Sequence, residues 1–448
     1  MSTGPASRGE RQGAIAPIAL RLPVSLSTSA FAVYSLALAL IPFRWLSPIG
    51  SLSERAEWSD VLIGVAASLW AVDKLRRREL LAARRRWHAP LTVYLALGAA
   101  SATVAVPGRG GSWKAVLLMA ELAALAVITG DFASDPARRR TIARVIVASS
   151  LITVVLGIIG LLLFYVGTHS GLIGAYGEQY APSHLYARVQ AGFEAPALLA
   201  SFCIFAAGIA ASEEAGLSRR ARIASEISLG LLCLATFSRG IIGFLLASAL
   251  RRSAAMGGRR RALLAIGASV VSLSIIAALT VGRLHLNPTK PSTISYVVPD
   301  PGNRREAFTT SLTTLEHHPL LGIGPGATPG VNAGEPFRAH FTPLQVAATL
   351  GIPALCALLA MLWLVWRDRR RPTDVALWTA AAGIALDGLA QDIDHFRHVW
   401  VLIGLLAAGR RSRPTGRAPA SGSREEPRES RAPGSRPTGR ARSRAGGA

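Results

Sequence analysis

The chain alternates apolar blocks of roughly twenty residues with arginine-rich punctuation, and this spacing restricts the fold more than any single motif does. A segment in lipid has no water for its N–H and C=O groups, so it must bond internally as a helix of about 20 residues. Half of the 448 residues are hydrophobic and only 17% are charged, which excludes an ordinary soluble domain of amphipathic helices. The pattern predicts an all-α, polytopic membrane protein of about twelve spanning helices. The spans fall near Val24 to Phe43, Trp58 to Val72, Ala89 to Val106, Trp113 to Gly130, Ile142 to Val166, Ala191 to Ala211, Ile223 to Phe237, Gly240 to Leu250, Ala262 to Val281, Pro343 to Trp366, Val375 to Leu389 and Val399 to Ala408.

The formal charge of +23 raises the question of nucleic acid, but its placement answers it. Basic clusters at Lys74 to Arg86, Arg138 to Arg144, Arg219 to Arg222, Arg251 to Arg261, Arg367 to Arg371 and from Arg410 onward are assigned to loops, with no nucleic-acid-binding motif beside them. Positive loops stay in the cytoplasm, so threading the spans puts every strongly basic loop and both termini on that side. The first apolar block has no small-residue cleavage site and reads as a retained helix. Cys203, Cys233 and Cys356 all fall in predicted spans, as small apolar packing residues rather than bridges or ligands.

This gives a cytoplasmic N-terminus (1–23), helices 1–9 (24–282), a long extracytoplasmic loop (283–342), helices 10–12 (343–409) and a basic cytoplasmic tail (410–448). The tail repeats SRPTGRA from Ser412 and from Ser435, lacks apolar bulk, and is expected to be disordered against anionic lipid. The loop is the candidate catalytic region, because long loops that are not low-complexity tend to carry function. An amphipathic helix at the membrane surface is expected over Asn303 to His317, stopped by Pro319 and the glycines after it.

Within that loop lie NRREAFTTSLTTLEHHPLLGIGPGATPG, from Asn303, and RAHFTPLQVAATLGIPAL, from Arg338. RVQAGFEAP from Arg188, TFSRG from Thr236 and QDIDHFRHVWVLIGLL from Gln391 map to the same face. Together these segments resemble the O-antigen ligase and O-antigen polymerase family of bacterial membrane glycosyltransferases, over roughly Arg188 to Leu406. Phe341 stands where that family commonly has Asn, and Phe308 where Trp is common.

The resemblance implies an enzyme of the bacterial cytoplasmic (inner) membrane that moves a glycan from undecaprenyl pyrophosphate to an acceptor hydroxyl on another glycan or lipid anchor. Cleaving the anomeric C–O bond leaves charge on a pyrophosphate, which the planar, permanently charged guanidinium stabilises well. Arg188, Arg239 and Arg304 are the candidates, with Arg304 also counted as catalytic. His340 is the candidate base, since imidazole titrates near neutrality.

Eight of the nine histidines map to the outer face, but none has metal-ligand spacing, and no metal or other cofactor is expected. Gly322, Gly324, Gly326 and Gly330 lack the strand and Lys-Ser/Thr of a nucleotide loop, yet suit a turn whose N–H groups approach a phosphate. Glu226 and Asp387 are ionisable groups in spans, and Asp392, Asp394, His395, Arg397 and His398 form an outer charged cluster; all are read first as holding helices and loop together. The rival class is a transporter or flippase of lipid-linked saccharides, whose layout twelve spans also fit. No repeat relates the two halves of this chain.

Overall fold

A computed structural model describes residues 25–43, 57–79, 85–105, 113–168, 170–174, 188–256, 258–285, 301–332, 335–368 and 375–408, with backbone alone at 174, 273, 275–285, 301–304, 332, 335 and 336. The repeated tail, residues 411–448, lies outside the described residues, as do 1–23 and most of 283–300.

Helices occur on all twelve apolar blocks. The first nine are α1 (Leu26–Leu40), α2 (Trp58–Arg76), α3 (His88–Thr103), α4 (Trp113–Phe132), α5 (Pro136–Tyr165), α6 (Pro196–Ala211), α7 (Arg219–Ala235), α8 (Gly240–Ala254) and α9 (Gly258–His285). Then come α10 (Pro301–His317), α11 (Thr342–Leu350), α12 (Ile352–Arg367), α13 (Val375–Asp387) and α14 (Arg397–Ala407). Two short antiparallel ribbons interrupt this helical architecture: β1 (Ile173–Gly174) with β2 (Arg188–Val189), and β3 (Gly330–Asn332) with β4 (Glu335–Phe337).

Helix α6 is apolar all round, and every residue from Leu198 to Ala210 is buried, so it forms the axis of the bundle. Against it pack α5, α7, α8 and α13. The last two cross closely because Gly243 and Gly383 face one another, each filling the space a Cβ would need against the other's carbonyl. Outer helices invert the soluble pattern. One face of α5 buries Ile142, Ile146, Ser150, Thr153 and Gly157, while Ile152, Val155, Ile158 and Leu162 are exposed. Faces of this kind belong in lipid. Helices α4 and α5 are long and apolar enough to cross a membrane by length and composition; α1, α6, α12, α13 and α14 are apolar but shorter.

Three expectations change. The block from Pro343 to Trp366 is two helices, because Gly351 takes a left-handed backbone (φ +89°) that ends α11 and lets the Ile352 N–H reach the Pro319 carbonyl at 2.8 Å. The cluster from Arg138 to Arg144 lies inside α5, which begins earlier than its apolar block at Pro136, with Asp135 accepting from the Ala137 N–H at 3.1 Å. Basic side chains also tie helix ends together at one end of the bundle: Lys74 meets Asp131 at 3.1 Å, Arg139 meets Glu214 at 2.9 Å, and Arg85 donates to Ser134 at 2.6 Å. Cys203 and Cys233 are buried free thiols, as expected, whereas Cys356 is exposed on α12.

A Cβ at position 351 would collide with the Leu320 carbonyl as well as oppose the positive φ. Gly351→Ala is therefore expected to lower stability by more than about 1 kcal/mol, read as a lower unfolding temperature in detergent. Gly267→Ala, on α9 with open space at its Cβ position, should show no such loss.

Candidate functional site

The end of the bundle opposite the basic ties is built from non-helical backbone, and each segment there is held by a side chain. The first is the turn between α7 and α8. Thr236 closes it locally, its hydroxyl donating to the Cys233 carbonyl at 2.6 Å and accepting from the Ser238 N–H at 3.1 Å. Phe237 is forced to φ +48° with its ring exposed.

Arg188, presented by β2, donates from Nε to the Thr236 carbonyl at 2.8 Å and from Nη2 to the Phe237 carbonyl at 3.3 Å. A cation on the last carbonyls of a helix satisfies orphan acceptors and the negative end of the dipole. The structure thus brings Arg188 and Arg239 to the same turn. Arg239 is the residue from which α8 starts, and its Nη1 is buried without a hydrogen-bond partner among the described residues.

The second segment carries His340, which sits in the left-handed region at φ +49° with its ring 5.1 Å from that of Phe337. Phe341 donates its N–H to Asp392 Oδ1 at 3.1 Å. Thr342 gives its N–H to the Gly388 carbonyl at 2.8 Å and its hydroxyl to the Gln391 carbonyl at 2.7 Å. Gln391 in turn reaches Ser238 Oγ at 3.4 Å, so one residue joins the Arg239 turn to the His340 loop.

The third segment is α10 and the glycine turn. Helix α10 covers the span expected from Asn303 to His317 and packs on β3 and α11, with Ala307 and Ser311 buried. Thr310 accepts from the Val331 N–H at 2.8 Å and Thr314 donates to the Pro329 carbonyl at 2.9 Å, which seats the glycine turn along the helix. Arg304 is one turn before Phe308 on α10, and its side chain lies outside what is described. The Phe308 ring packs edge-on against Phe341 at 5.8 Å, so the two departures from the family pattern meet each other.

The outer charged cluster divides. Asp392, Asp394 and His395 stay together, with Arg338 Nη1 at 3.4 Å from His395 Nδ1. Arg397 instead binds Glu57 at 2.9 Å and also Asp60, pinning α14 to the start of α2. His398 leaves the cluster for the core, 3.0 Å from Ser201 Oγ and beside Phe202 and Phe205. Glu226 pairs with Arg251 at 2.9 Å at the other end, in the holding role expected of it. Asp387 is buried beside Gly240, with Ser201 as its side-chain neighbour. Among the described residues no three His, Cys, Asp or Glu side chains are grouped to hold a metal.

Burial pushes the Asp392 carboxyl up to about 7, and the neighbouring Asp394 charge adds to this; Arg338 and the N–H groups of Phe341 and His340 act against it.

Fold and site define a helical membrane protein with a cationic, partly unsatisfied turn set beside a strained histidine. Residues 224–359, which contain Arg239, Arg304 and His340, match the family model described as O-antigen ligase, and over this segment the chain is similar to that family. No curated protein matches the chain. The matched segment supports a ligase- or polymerase-like glycan transferase role.

Between pH 4 and 7 the folded chain keeps the Asp392 proton that an unfolded Asp, with a pKa near 3.9, has already lost. Its contribution to stability therefore falls as pH rises through that window. Asp392→Asn is expected to flatten the pH dependence of the unfolding temperature between pH 4 and 7; an unaltered slope would count against the assignment.

Proposed function

We propose that the chain transfers a glycan from undecaprenyl pyrophosphate to an acceptor hydroxyl on a second glycan or lipid anchor, on the outer face of the bacterial cytoplasmic membrane, with both termini inside. The observation that carries this reading is Arg239: a guanidinium nitrogen buried at the end of the bundle, unpartnered, and inside the matched segment. Desolvating a cation without a partner is costly, and an anionic ligand removes that cost.

In this reading Arg239 and Arg304 bind the pyrophosphate, while Arg188 acts on the same subsite by fixing the Thr236–Phe237 backbone. The acceptor oxygen forms its bond to the anomeric carbon as the bond to pyrophosphate breaks. The bonding electron pair leaves with the pyrophosphate, and the hydroxyl proton passes to the His340 imidazole. A single displacement inverts the anomeric configuration. No metal is required, because the arginines supply the positive charge.

Arg239→Gln, at unchanged membrane levels, should lower transfer by about 10²-fold or more, read as loss of long surface glycan on gels. His340→Ala should do likewise. Unchanged glycan length and amount in both variants would sink the reading. Gene deletion separates the two acceptors: single repeats left in place indicate a polymerase, and full chains stranded on the lipid carrier indicate a ligase. Chelator added to membranes is expected to leave the rate within about two-fold of its original value, as an enzyme without Lewis-acid catalysis requires.

A further inference from the structure

We infer that Gln345 is a positioning residue that braces His340 against the glycine turn, so that the imidazole is held where the acceptor hydroxyl meets it; the assignment rests on the transfer reading above. Gln345 lies in the first turn of α11, 4% exposed, with both ends of its carboxamide engaged. Its Oε1 accepts from the Ala339 N–H at 3.0 Å, and its Nε2 donates to the Ala327 carbonyl at 3.0 Å. Ala339 precedes His340, and Ala327 is in the turn of Gly322, Gly324 and Gly326.

The far end of that turn is fixed to the same helix. Ile323 and Gly324 donate their N–H groups to the carbonyls of Ala348 and Thr349, at 3.1 and 3.0 Å. Helix α11 thus holds the turn at its C-terminal end and, through Gln345, near its N-terminal end. The His340 backbone is anchored on both sides, Ala339 by Gln345 and Phe341 by Asp392. It needs anchoring. A left-handed backbone at a non-glycine residue costs on the order of 1 kcal/mol and persists only where its surroundings impose it. A primary amide can accept and donate at once; a carboxylate can only accept, and an aliphatic chain can do neither. Without the amide, the buried Ala339 N–H loses its partner and His340 can relax to negative φ, carrying the imidazole with it.

The test uses full-length protein in liposomes, with a lipid-pyrophosphate-linked glycan donor and a glycan acceptor. Gln345→Leu and Gln345→Glu are each made alone and together with His340→Ala. A loss of about 10²-fold in kcat is expected for Gln345→Leu, the scale of a small misplacement of a reacting group, with donor KM nearly unchanged. Gln345→Glu, which keeps the Ala339 bond and loses the Ala327 one, should lose less. In the His340→Ala background neither variant should lower the residual rate further, because both act through that imidazole. Losses that add in that background, or a rise in donor KM with kcat intact, would overturn the assignment.

Amide exchange over 336–342 provides a readout independent of activity. It should quicken in Gln345→Leu, and protection equal to wild type would also overturn the proposal. Should the unaltered protein transfer nothing while exchange still quickens, the transfer reading fails and the clamp alone stands. If Gln345→Leu reaches the membrane poorly, the polar, near-isosteric Gln345→Glu carries the comparison.

Discussion

The architecture at the candidate site depends on one requirement: buried backbone that leaves the helix must find hydrogen-bond partners among side chains. The turn after α7 finds them in Arg188 and Thr236, and the loop before α11 in Gln345, Asp392 and Gln391. Most of the polar residues there are thus engaged in holding irregular backbone. Against that background Arg239 differs in that one of its guanidinium nitrogens is buried without a hydrogen-bond partner among the described residues.

The two ends of the bundle use charge differently. At the end with the basic clusters, Lys74, Arg85 and Arg139 join helix termini through acids, a serine and carbonyls. At the other, strained backbone at Phe237 and His340 is tolerated, and the polar groups converge on short turns rather than on helix ends. Rigid helices around α6 carry both, so the turns inherit their relative placement from close contacts such as Gly243 with Gly383.

Much of this was legible from periodicity and motif. Helices fall on every apolar block, and the helix from Pro301, the turn after Pro319 and the likeness to the ligase family over residues 224–359 all follow from local sequence. What stayed hidden depended on distant partners. Nothing near Arg188 says that it will meet the carbonyls of Thr236 and Phe237, 48 and 49 residues away. Likewise, Asp392 to His398 read as one charged patch, yet α14 starts within it and turns His398 into the core while Asp392 stays with the loop. The break at Gly351 was signalled locally by Gly-Ile-Pro, but hydropathy averages across a single residue and runs the two helices together.

The contact between Phe308 and Phe341 bears on how such a chain diverges from its relatives. The rings sit 33 residues apart in sequence but edge to face, so each is the other's environment. Replacing Phe341 alone with the amide common among relatives would set a polar group against a ring suited to another ring. Restoring Trp at 308 alone would enlarge a partner already fitted to Phe341. The two positions are therefore coupled, and changing both together should cost less stability than the two single changes summed.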